Sequence, residues 1–273
     1  MIVLNFGDWR ATIEPELGGS ILSLTFRGQP VLRPTSAVGD VRATACYPTI
    51  PYANRIAHGK FSWGGKTYKL PFNTPSSPHP IHGVGWRQPW SVGQQGESAC
   101  DLLLDFKPDN EWPFPFAAKQ RIALGATGLS VRVTLTNKAL QDAPLGFGFH
   151  PFFVARGGDR INFTAKGIYK NSADLLPDGF IAKGPGWDLK VDERPLDNDF
   201  GDWGGEALIT ADKGPTFLLV ADMPMLRIYT PVKQPYFAVE PVSHGADAIN
   251  RGGMPPIKPG ESVTGRMVIS AVA

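Results

Sequence analysis

The sequence predicts an all-β protein, a large antiparallel β-sandwich, on three observations. Its 273 residues include 31 glycines and 26 prolines, well above their usual combined share of about 12%, which breaks helices and supplies turns. The run Leu129-Ser130-Val131-Arg132-Val133-Thr134-Leu135-Thr136 alternates apolar and polar residues, the period of a strand with one wet face. Turn signals also recur at nearly even spacing between roughly a dozen or more short apolar runs, as in a sandwich rather than in alternating strands and helices.

Taken in chain order, residues 61–70 read as two short strands about Gly64-Gly65. Ser91 and Val92 pair with 101–106 across the polar GQQGES turn, and 117–137 forms a hairpin whose turn is bracketed by Gly125 and Gly128. Further strands are expected at 207–210, 216–220 and 225–229, with a last one at 262–271. Helical turns are expected only at 111–116, where Pro113 and Pro115 limit it, and at 174–176. Residues 183–205, rich in Gly, Asp and Trp, read as a long irregular connection. With no internal repeat and no linker, residues 1–273 are taken as one domain.

Charge is nearly balanced, 27 Lys+Arg against 25 Asp+Glu, without a basic stripe. That argues against a nucleic-acid or anionic-membrane partner. Seven Trp, six Tyr and sixteen Phe beside few charges suit aromatic surfaces that meet a neutral, polar ligand, although most aromatics pack cores. Cys46 and Cys100 cannot make a disulfide framework. The amino terminus lacks a signal-peptide pattern and no apolar run approaches the ~20 residues of a membrane span, so a cytoplasmic location is expected.

Polar residues with chemical potential collect in four segments. In Tyr47-Pro48-Thr49-Ile50-Pro51-Tyr52-Ala53-Asn54-Arg55-Ile56, an extended approach leads to Asn54 and Arg55, whose donors and acceptor suit adjacent hydroxyls. A structural Arg-carboxylate pair is the alternative. The second segment holds His79, His82, Gly83 and Trp86. Pro80 between the histidines opposes a helical ligand pair, and no HxH strand pair occurs, so no metal site is assigned. In Gly146-Phe147-Gly148-Phe149-His150-Pro151-Phe152, strand alternation puts His150 on the face of Gly146 and Gly148, where small residues leave room beside its ring. Glu240 ends the apolar run Phe237-Ala238-Val239 before Pro241. It is read as a base raised toward neutral pH by apolar surroundings, as the partner of Arg55, or as both. One acid and one base, without a nucleophile elbow, P-loop or dinucleotide fingerprint, argue for simple proton transfer without a cofactor.

Taken together, PYANRI, HG, GFHPFF, and VEPVS followed by ADAIN, in this order from Tyr47 to Arg251, resemble the aldose 1-epimerases, or galactose mutarotase-like proteins. The resemblance implies that family's β-sandwich with an open cleft for a monosaccharide, and cofactor-free interconversion of α and β anomers, an isomerase activity. His150 stands where the family keeps the acid that protonates the ring oxygen, and Glu240 where it keeps the base that takes the C1 hydroxyl proton. Arg55 and His82 match sugar contacts, with Asn54 beside them; Asp197 resembles a sugar-binding Asp, with Asp199 and Asp202 as competitors. Trp86, Phe149 and Tyr52 are candidates to lie against the sugar's apolar face. Two alternatives stand beside this reading: a non-catalytic sugar-binding or regulatory protein on the same fold, and an epimerase-like enzyme for a modified sugar such as a uronate or a phosphorylated hexose. Neither reading fixes an oligomeric state.

Overall fold

The computed structural model describes residues 1–35, 39–75 and 77–272. Within them the chain forms a twelve-stranded and a nine-stranded sheet, two two-stranded ribbons and four single turns of 3-10 helix. No helix is long and apolar enough to cross a membrane.

The nine-stranded sheet contains the predicted hairpin. Phe116–Gly125 pairs with Gly128–Asn137, and Gly125 faces Gly128 across the turn. Leu129, Val131, Val133 and Leu135 are buried, as the alternation requires. The long final strand Ser262–Val272 lies between Gly128–Asn137 and Thr216–Ala221. At the other side, Ser91 and Val92 pair with Leu103 and Leu102. Gly64 and Gly65 both take positive φ, 57° and 75°, joining Lys60–Trp63 to Lys66–Lys69, the backbone that a two-residue turn of this kind demands.

The twelve-stranded sheet carries Asp197, Arg227 and Glu240, with His150 between two of its short strands. Phe152–Val154, Tyr236–Val242, Met225–Thr230 and Leu196–Gly201 are successive neighbours in it, all antiparallel. Its apolar side meets the second sheet through aromatic rings. Phe200 makes edge contacts with Phe163 at 4.9 Å and Trp187 at 4.8 Å, and Trp9 meets Phe217 at 6.5 Å. Two sheets closed face to face over such a core make a sandwich.

Three local expectations are corrected. Residues 183–205 contain two strands, Gly186–Lys190 and Leu196–Gly201. The second carries Asp197, Asn198 and Asp199 in place of an apolar stripe because one face lines a charged cleft, so its period was invisible to a hydrophobic reading. Neither 111–116 nor 174–176 is helical. In the first, backbone N–H groups of Glu111 and Trp112 donate to the Asp109 carboxylate, an Asx-type turn. In the second, Ser172 and Leu176 close a loop by backbone and hydroxyl hydrogen bonds.

Candidate active site

Strand register assembles the charged floor of the site. Arg227 is opposite Asp199 on one neighbouring strand and opposite Glu240 on the other, so three residues from three strands form one row. The Arg227 guanidinium donates to Asp199 Oδ1 at 2.8 Å and to Asp197 Oδ1 at 2.9 Å and 2.5 Å. Asp199 is completed by the Ala246 N–H at 2.8 Å. Asp197 also receives Arg55 Nη2 at 3.4 Å, and Asn54 Oδ1 accepts from both the Arg55 N–H and Nη1. Arg55 Nε is buried without a partner among the described residues, a donor left over for a ligand.

The three aspartates take different positions. Asp197 lines the cleft, Asp199 lies behind Arg227, and Asp202 is on the surface paired with Lys166. Glu240 is not the partner of Arg55; that partner is Asp197. Instead, Glu240 Oε1 lies 3.3 Å from His150 Nε2, and both side chains are buried.

His150 sits between the short strands Gly148–Phe149 and Phe152–Val154, its N–H donating to Tyr47 O. The imidazole is held between the Phe152 ring, 4.3 Å away and stacked, and Tyr47, 4.8 Å away. The expected room above Gly146 and Gly148 is taken by other groups. A Cβ on Gly146 would lie 2.5 Å from His244 Cδ2, and one on Gly148 2.7 Å from Thr49 Oγ1 and Val242 Cγ1. Those glycines admit close packing beneath the site.

His82 faces the same cleft, locked by a reciprocal pair of bonds. Its N–H donates to Asn54 O, and the Asn54 N–H donates to His82 Nδ1 at 3.1 Å. A neutral ring whose Nδ1 accepts carries its proton on Nε2, so His82 is a hydrogen-bond donor to the cleft. Asn54 and His82 both adopt positive φ, 60° and 61°, a conformation costly for residues with a Cβ and held here by those bonds. Trp86 stacks on Tyr47 at 5.7 Å and forms one edge of the cleft. Phe149 and Tyr52 are packed in the core and do not reach it.

The cleft has a volume of ≈ 440 Å³, within the range of about 300–1,000 Å³ for small-molecule sites. It brings together Asn54, Arg55, His82, Trp86, His150, Asp197 and Glu240, but not Phe149 or Tyr52. The sequence reading missed Arg33, Arg227 and the tyrosines 229 and 236. Arg227 left a signal, a charge between Leu226 and Ile228 in an apolar strand.

Burial sets the protonation states. It pushes the Glu240 carboxyl well above its ordinary range; Arg227 opposes and Asp197 and Asp199 reinforce the shift. Burial, aided by the charges of Arg33 and Arg227, lowers His150 to about 3. His82 is likewise held well below 6.5 by burial and by neighbouring His150 and Arg55. Burial also favours neutral Asp197, but the Arg227 and Arg55 guanidiniums outweigh it and keep this carboxylate ionised. Burial thus favours the arrangement in which Glu240 carries a proton and His150 is neutral.

A second cluster, His58, His79 and Asp174, brings three potential ligand atoms within 4.8 Å. His79 Nδ1 accepts the His58 N–H at 2.9 Å, so the neutral ring's proton sits on Nε2, 3.2 Å from Asp174 Oδ2. A metal would need the lone pair which that proton occupies. The contact instead ties the loop before His82 to the loop bearing Leu175, which lines the cleft.

A family profile described as aldose 1-epimerase matches residues 2–270. The uncharacterised protein YphB of Escherichia coli K12 is 26% identical over 282 aligned positions, 97% of this chain and 96% of its own length. Galactose mutarotase of Mus musculus is 27% identical over 149 positions, 50% of this chain and 43% of its own. A crystal structure from Escherichia coli K12, described as a candidate aldose 1-epimerase, superposes with a TM-score of 0.92 at 25% identity, covering 99% of this chain and 98% of that one. The chain belongs to the aldose 1-epimerase family.

Proposed function

We propose that the protein is a cofactor-independent aldose 1-epimerase that interconverts the α and β anomers of a free aldose. The observation that carries this reading is the 3.3 Å separation of His150 Nε2 and Glu240 Oε1 at the base of the cleft. Ring opening removes a proton from O1 and delivers one to the ring oxygen, and both oxygens are bonded to the same carbon. An acid and a base that line one cleft side by side are within reach of both oxygens. Retaining glycosidases, by contrast, separate their two carboxyl groups by about 5–5.5 Å and inverting ones by more.

In the forward direction the Glu240 carboxylate takes the O1 proton as His150, protonated, gives its Nε2 proton to the ring oxygen. The C1–O5 bond breaks and an aldehyde forms. Rotation about C1–C2 presents the other carbonyl face, and closure returns both protons. The open-chain stage leaves Glu240 protonated and His150 neutral, the same distribution that burial favours in the empty cleft. One proton shared across the pair thus serves the whole cycle. Arg55, Asp197 and the His82 Nε2–H supply the donors and acceptors for sugar hydroxyls, and Trp86 an aromatic edge.

Saturation-transfer NMR between anomeric protons tests the proposal across a panel of aldoses, including pentoses and 6-deoxy sugars. Exchange faster than the spontaneous rate is expected for at least one sugar. Binding without faster exchange would instead identify a sugar-binding protein without turnover.

A further inference from the structure

Resting on the epimerase reading, we propose that the preferred substrate is an aldose bearing a negatively charged group, a carboxylate or a phosphate, on C5 or C6, received by Arg33 with Arg42 at the rim. The argument begins with the charges of the cleft. Four arginines line it: Arg33, Arg42, Arg55 and Arg227. Arg227 is held by Asp197 and Asp199, and Arg55 by Asp197. Glu240 faces His150 at 3.3 Å, and among the described residues no arginine pairs with it. Arg42 is exposed and lies 3.4 Å from Asp40.

Arg33 is different. Its guanidinium lies over the Phe152 ring at 3.5 Å and the Tyr236 ring at 4.2 Å. Its Nε donates to Thr44 O at 3.0 Å, and Nη2 donates to Arg42 O. These are neutral partners; among the described residues no carboxylate pairs with it. A partly buried guanidinium without a counter-ion is expensive, and burial lowers its pKa accordingly. The two carbonyls orient the fork while leaving donors for a ligand, and a carboxylate or phosphate is the group that such a fork binds best.

The position of Arg33 selects the part of the sugar. Arg33 and His150 pack on the same Phe152 ring, so Arg33 belongs to the side of the cleft where the acid meets the ring oxygen. C5 is bonded to that oxygen, which puts substituents of C5 and C6 on this side. Hydroxyls farther round the ring face Arg55 and Asp197. The placement also bears on catalysis, since the Arg33 charge is among the influences that suppress protonation of His150. An anion seated on Arg33 offsets that charge and makes the imidazole a better proton acceptor when substrate is present.

The test is anomer-exchange NMR on the intact protein with neutral glucose and galactose, the corresponding uronates, and the hexose 6-phosphates. The expected kcat/KM for a uronate or a 6-phosphate exceeds that for the neutral sugar by about 10-fold or more, and the anionic group that gains most identifies the ligand chemistry. Arg33→Met is expected to lower the ratio of anionic to neutral kcat/KM by about 10- to 100-fold, and Arg33→Lys to restore part of it. Arg42→Gln, at an exposed position that poses no folding risk, is expected to lower the same ratio several-fold. In the wild type, KM for the anionic sugar rises with salt while that for the neutral sugar does not. Equal turnover of neutral and anionic sugars, or a ratio unmoved by both Arg33→Met and Arg42→Gln, overturns the proposal and leaves the epimerase reading standing. Turnover of no aldose at all overturns that reading and this one with it.

Discussion

Burial of His150 and Glu240, 3.3 Å apart, favours one proton between them, and under the proposed function this sets how activity responds to pH. Adding a second proton requires His150 to titrate, at about 3 rather than 6.5. Losing the only proton requires Glu240 to ionise, well above its ordinary 4.5. The acid limb of the kcat/KM profile is therefore expected at about 3, the His150 value, and not near the 6.5 of an unperturbed histidine. A fall in activity with an apparent pKa near 6.5 would show that His150 is not shifted as the geometry requires. The neighbouring ion cluster bears on stability. Arg227→Met removes the cation from between Asp197 and Asp199 and is expected to cost about 3–5 kcal/mol in urea unfolding, because two carboxylates are left without it. His150, Glu240, Arg55 and His82 were legible as separate residues with chemical potential, and the family resemblance supplied their roles. Arg33 was not, since a lone Arg between Leu32 and Pro34 has no period or motif to set it apart. Only the fold places it on Phe152.

Among the elements, the strands of the nine-stranded sheet were readable because one face is buried and the other wet, which prints the two-residue period on the sequence. Leu196–Gly201 was not, because both its faces do something other than alternate simply: Asp197 and Asp199 face the cleft cluster while Phe200 enters the core. The turns around the site are set by close backbone approach. Gly83 has φ 66°, and a Cβ there would lie 2.2 Å from the Ile50 carbonyl oxygen. Gly83→Ala should therefore destabilise the protein by about 1–3 kcal/mol and raise KM by displacing adjacent His82; an unchanged melting temperature and KM would show the turn to be slack. The His79 to Asp174 contact links two loops at the mouth. Asp174→Ala is expected to raise KM several-fold with little change in kcat, measured by the same exchange NMR.

At the scale of the molecule, two large sheets close on aromatic contacts, and Phe200 is the ring that reaches both Phe163 and Trp187. Phe200→Ala is expected to cost about 3–5 kcal/mol, seen as a lower urea midpoint. The abundance of glycine and proline that excluded long helices also has a local meaning, since Gly83, Gly146 and Gly148 allow loops and strand ends to crowd beneath the site. The near-neutral net charge of +2 conceals a cleft with four arginines, so whole-chain charge said little about the ligand. Under the proposed function, what unites these features is a sheet that holds His150 as acid and Glu240 as base at the base of one cleft. The most direct test compares anomer exchange in the wild type, Glu240→Gln and His150→Asn. Gln is close in shape to the neutral Glu240 that burial favours, so the fold should survive. Each variant is expected to retain its melting temperature and to lose about 10²- to 10⁴-fold in kcat; near wild-type exchange by either folded variant would contradict the account.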